Sequence, residues 1–154
     1  MRAIDKQYAL ETGHRRGLTA GVFRLAFLAV LGAGPAFSAT PVDLSKLPPA
    51  ATNRIDFVRD IKPILDASCL KCHGPEKPKS RFSVDHREAL IRGGEHGAAV
   101  ISGQSANSPL IHYVARLVED MEMPPAGKGE RLAPAQISLL RAWIDQDLPW
   151  GGES

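Results

Sequence analysis

Apolar residues between positions 57 and 65 recur at spacings of four, three and one: Phe57, Ile61, Ile64 and Leu65. That period places all four on one face of a helix. Asp60 is the expected N-cap. Pro63 then falls in the first turn, where a missing backbone N–H is tolerated. The helix is expected to run to about Lys71. Phe82 and Val84 alternate with polar neighbours, which predicts a short extended piece. Asp85-His86-Arg87-Glu88 has the form of a capping box and predicts a helix over residues 87–92, closed at Gly93 or Gly94. Ser108-Pro109 predicts another helix start, with Leu110, Val114, Leu117 and Val118 along one face. Leu132-Ala133-Pro134 opens a last helix. It carries Ile137, Leu140 and Ile144 on one face, with Trp143 beside them, and is expected to end near Asp147. The predicted fold is mainly α.

The intervening stretches read as connections. Residues 40–55 are rich in proline and alanine and read as a linker or N-terminal arm. Pro75 and Pro78 mark a loop before Phe82. Gly93-Gly94-Glu95-His96-Gly97 has no Gly-Lys-Ser/Thr ending, so a phosphate loop is not indicated; the glycines fit a tight backbone path instead. The expected organisation is a leader over 1–39, the linker over 40–55, one folded domain over 56–150 and a tail over 151–154.

Charge changes the picture only when it is divided. The whole chain carries +2. Residues 1–39 hold five Lys+Arg against two Asp+Glu, whereas residues 40–154 hold fourteen against fifteen. The folded part therefore carries no basic excess for nucleic acid. Arg15, Arg16 and Arg24 precede a short apolar run from Leu25 to Leu31, and Ala36-Phe37-Ser38 offers small residues at a cleavage position. This pattern predicts an export signal and a periplasmic or otherwise exported protein. An uncleaved leader would instead anchor the chain to a membrane.

Both cysteines of the chain lie in Cys69-Leu70-Lys71-Cys72-His73. C-x-x-C-H is an attachment pattern for c-type haem. On a helical turn, thiols three residues apart can reach the two vinyl groups of one porphyrin edge. The next residue offers an imidazole nitrogen to the iron as proximal ligand. A disulfide between Cys69 and Cys72 would close a tiny loop and leave His73 without a role. A zinc site from Cys69, Cys72, His73 and another histidine would need adjacent residues to close a tetrahedron.

An iron held by His73 has a sixth position. Met123 is the first candidate, because Pro124 and Pro125 stiffen the backbone behind it. A thioether favours ferrous iron and raises the reduction potential. Met121 is the second choice, and His86, His96 and His112 are the remaining nitrogen donors. Phe57 and Trp143 can pack on a porphyrin or on each other. No pair of carboxylates and no activated nucleophile stands out for hydrolysis.

These residues together resemble the planctomycete-type cytochrome c domain. The matching pieces are Phe57 with Asp60-Ile61-Lys62-Pro63-Ile64-Leu65, the Cys69–Gly74 stretch, Arg81-Phe82-Ser83-Val84-Asp85 and Gly93-Gly94-Glu95-His96-Gly97. Ser108-Pro109-Leu110, Met123-Pro124-Pro125 and Leu140-Arg141-Ala142-Trp143-Ile144-Asp145 complete them. The resemblance implies a small helical cytochrome c-like domain wrapped around one covalent haem c. It carries the thioether roles to Cys69 and Cys72, the proximal ligand to His73 and the distal ligand to Met123. Two departures stand out: Arg81 replaces a usual glycine, and Asp147-Leu148 replaces a usual Gly-Ala.

The function expected is an exported monohaem cytochrome that carries single electrons between redox partner proteins, not an enzyme. The alternatives are a haem-based binding or sensor module with a labile sixth ligand, and a small peroxidase or thiol oxidoreductase. A peroxidase would need His86, His96 or His112 as its distal acid–base group.

Overall fold

The computed structural model describes residues 41–151. The predicted leader and the last three residues lie outside them. The described residues are mainly α, with no strand among them and one isolated bridge between Gly94 and Gly97. Five α-helices follow in order: α1 Lys62–Ser68, α2 Leu70–His73, α3 Arg87–Arg92, α4 Pro109–Val114 and α5 Pro134–Asp145. No helix among the described residues is long and apolar enough to cross a membrane.

The first helical segment starts earlier than its pattern suggested. Asp56, not Asp60, is the N-cap, and its carboxylate accepts from the Arg59 backbone N–H at 2.8 Å. Asp60 reaches back and accepts from the Asp56 N–H at 2.9 Å. The two aspartates thus cap one turn reciprocally. Residues Phe57–Ile61 form a π-helical turn that runs into α1. The expected apolar face is observed: Ile61, Ile64 and Leu65 are buried. The helix breaks at Cys69 (φ −122°, ψ −46°), and α2 follows as a separate turn.

The capping box expected at Asp85–Glu88 is not made. His86 is the N-cap of α3 and makes no side-chain cap bond. Asp85 instead takes the Ser83 hydroxyl and the His86 Nδ1, the latter at 3.0 Å. The end of α3 is as predicted, with Gly93 at φ 76°. Helix α4 starts at Pro109 after Ser108 as expected. The Ser108 hydroxyl, however, faces backwards to the Ile101 N–H and the Gln104 carbonyl. The helix stops at Val114, so Leu117 and Val118 lie beyond it and are only half-buried.

Helix α5 is the hub of the core. Ile137, Leu140, Ala142, Trp143 and Ile144 are buried along it. Trp143 is fully enclosed and its indole N–H donates to the Pro149 carbonyl at 2.9 Å. Phe57 stacks on Trp150 at 4.1 Å, and Trp143 lies 5.8 Å from Trp150. The arm before Asp56 lies along the same helix. Ala51 N donates to the Ser138 carbonyl, Arg141 reaches the Pro48 carbonyl, and Gln146 holds both Ile55 N and Asn53 O.

The two departures from the family pattern fall on left-handed backbone. Arg81 has φ 54°, and Asp147 and Leu148 have φ 62° and 54°. Glycine meets such angles without steric cost. At the second place Arg87 clamps the chain, donating to the Leu148 and Asp147 carbonyls at 3.1 and 3.0 Å.

Candidate functional site

The break at Cys69 brings the next turn round on itself. His73 N and Cys72 N both donate to the Cys69 carbonyl, at 2.9 and 3.1 Å. The His73 carbonyl then accepts from Val84 N at 2.9 Å, which pins the turn to the extended piece. The His73 ring is fixed on two sides. Its Nδ1 lies 3.0 Å from the Phe82 carbonyl, and the Phe82 ring meets it edge-on at 5.2 Å. A carbonyl only accepts, so Nδ1 carries the proton and the Nε2 lone pair is left for a metal. The orienting carbonyl comes from Phe82, nine residues past the histidine. Chain spacing alone does not reveal that pairing.

The cysteines are not bonded to each other. Burial pushes the Cys69 thiol up to about 11, so it is held as the neutral thiol near pH 7. Cys72 is half-buried and stands outside the cavity lining.

A cleft open to solvent lies in front of His73, with about 820 Å³ of empty space when its mouth is included. Cys69, His73, Phe82 and Val84 form one wall. Leu110, Tyr113, Val114, Met121 and Met123 form another. Among the sequence candidates, the structure thus brings together Cys69, His73, Met123, Met121 and His96. It does not bring in His86 or His112. His86 pairs with Asp85, and the His112 Nε2 lies 2.7 Å from the Ala106 carbonyl. Phe57 and Trp143 pack on each other and on Trp150, away from the cavity. Among the described residues no three His, Cys, Asp or Glu side chains gather as a metal-ion site.

The methionine loop is anchored from α4. Met123 N donates to the Tyr113 carbonyl at 3.0 Å, and Arg116 donates to the Pro124 carbonyl at 3.3 Å. Tyr113 lies in the cavity wall but drew no notice from the sequence, because the α4 periodicity follows Leu110 and Val114 instead. Ser80 and Glu95 were missed for a similar reason: each is a polar loop residue, and only tertiary structure brings it to the cavity.

This donor set fits a covalent porphyrin: an apolar cleft, two thiols not paired with each other, an imidazole with a free nitrogen and a thioether in the same lining. Comparison with known proteins adds an independent observation. Residues 69–127 match the planctomycete cytochrome C family. The match begins at the first cysteine and runs past Met123, so it contains both walls of the cavity. It supports a haem-binding cytochrome. It is narrower than the resemblance seen from Phe57 to Trp150. No curated protein and no solved structure matches the chain.

Proposed function

We propose that this chain is an exported monohaem c-type cytochrome that carries single electrons between redox partner proteins. In this reading Cys69 and Cys72 hold the porphyrin by thioether bonds, His73 is the proximal iron ligand and Met123 the distal one. One observation carries it: His73, whose Nε2 is left free by the Phe82 carbonyl, lines the same apolar cavity as Met123. Haem in such a site supplies one-electron chemistry through its iron. The protein's part is to hold the two ligands on separate, independently anchored segments and to keep water away. The Phe82 carbonyl fixes the tautomer and orientation of the imidazole, and the Tyr113 carbonyl and Arg116 restrain the thioether loop. Small movement of both ligands suits electron transfer, because little then reorganises between oxidation states.

Chain produced with the haem-attachment machinery is expected to keep its haem through acid–acetone extraction. Haem lost to the solvent contradicts the proposal. A second reading, a sensor with an exchangeable sixth ligand, is favoured by Met121 and His96 bordering the cavity too. Rapid carbon monoxide binding to the reduced protein at neutral pH would support it over the electron carrier.

A further inference from the structure

Besides Cys69 and His73, the lining residues with an ionisable or hydroxyl-bearing side chain are Ser80, Glu95, His96 and Tyr113. The first three come from two turns joined to each other. Glu95 N donates to the Ser80 carbonyl at 2.8 Å, and Gly94 and Gly97 exchange backbone bonds at 3.1 and 3.0 Å. A Cβ at Gly94 would sit 2.4 Å from the Ser80 carbonyl oxygen, so only glycine permits this approach. Arg81 Nε lies 3.1 Å from Glu95 Oε1, and the glutamate charge is thereby answered locally. His73, His86 and His112 each have an intramolecular partner, whereas among the described residues His96 has none. The Ser80 hydroxyl is likewise without one among those residues.

We propose that Ser80 and His96 form a carboxylate-binding rim and hold the propionate side chains of the porphyrin. The proposal rests on the haem reading above. Its physical basis is the contrast between rim and interior. Phe82, Val84, Ala99, Leu110 and Val114 give a propionate nothing to hydrogen-bond, and a buried carboxylate without partners is strongly disfavoured. The two joined turns offer an exposed hydroxyl and an exposed imidazole N–H, both donors. Arg81 keeps Glu95 from repelling the arriving anion. This role also gives His96 a reason to border the cavity without ligating iron.

Ser80→Ala, His96→Ala and the double variant test it in the haem-loaded full chain. The redox-induced infrared difference spectrum is read in the carboxylate region, beside the midpoint potential and the visible spectrum. The expected result is a shift of the carboxylate bands in each single variant and a larger one in the double. The midpoint potential should fall, because a propionate stripped of donors favours the ferric state, while the visible iron-ligand spectrum stays that of the wild type. Unmoved bands and potential in the double variant overturn the rim. So does a changed iron-ligand spectrum in His96→Ala, which would make His96 a ligand. Both outcomes presuppose covalent haem in the wild type; its extraction by acid–acetone refutes the haem reading and the rim together, whereas retained haem with unmoved bands refutes the rim alone.

Discussion

The two walls of the cavity are built in opposite ways. The His73 wall is local: five consecutive residues carry both thiols and the imidazole, and the bonds that shape them reach no further than Val84. The Met123 wall is assembled at a distance. Its side chains come from α4 and from a loop fifty residues downstream, held by one backbone bond to Tyr113 and one from Arg116. The local wall offers a single imidazole. The assembled wall offers two thioethers, Met121 and Met123, from one loop. A short-range pattern singles out one candidate ligand, while a tertiary surface offers a set of candidates and leaves the choice to loop geometry.

The sharpest break should come at the local wall. His73→Ala is expected to abolish the low-spin haem spectrum, and Cys69→Ala with Cys72→Ala to abolish covalent attachment, read by acid–acetone extraction. Retained covalent haem in the double cysteine variant would show that the thiols are not the anchors. Next in size is a change in the core, away from both walls. Trp143→Ala empties the centre of the core and is expected to cost about 3–5 kcal/mol in chemical denaturation. A loss below about 1 kcal/mol would mean that α5 does not support the core as described.

A smaller effect separates the walls. Arg116→Ala removes a hydrogen bond to the Pro124 carbonyl and should cost about 1 kcal/mol. It should also speed carbon monoxide binding to the reduced protein while leaving covalent haem content unchanged. Unchanged kinetics would mean that Arg116 does not restrain the loop. The smallest effect is acid sensitivity on the local side. The Arg59 guanidinium, then the Asp56 N–H, holds Asp60 below the usual carboxylate range; the Ser83 hydroxyl, then His86, does the same for Asp85. A depressed folded-state pKa gives stability that is present above the unfolded value of about 3.9 and lost as pH falls through the folded one. Asp85→Asn should therefore flatten the acid limb of a stability–pH profile below about pH 4. A limb as steep as the wild type's would count against the Ser83–Asp85 bond.

The same division explains what the sequence alone could reveal. The apolar faces of α5 and of α1 with the turn before it were legible because Ile61, Ile64, Leu65, Ile137, Leu140 and Ile144 keep helical period and all are buried. That Cys69 and His73 lie together was legible because they stand four positions apart, and both line the cavity. Capping was less so. Asp56 and Asp60 both precede apolar residues, and only the backbone shows that they cap each other. The partner of His73 was hidden because a carbonyl has no side-chain signature. The end of α4 was hidden because Leu117 and Val118 continue the helical period while Arg116 turns the backbone to φ 60°. The roles of Phe57 and Trp143 needed coordinates too, since packing on a porphyrin and packing on Trp150 both demand buried aromatics.

The central claim is that His73 and Met123 face each other across one iron. Magnetic circular dichroism of the ferric protein tests it most directly, in the wild type, Met123→Ala and Met121→Ala. The account predicts a His/Met signature that disappears in Met123→Ala and persists in Met121→Ala. A signature that survives Met123→Ala, or a bis-histidine signature in the wild type, would contradict it.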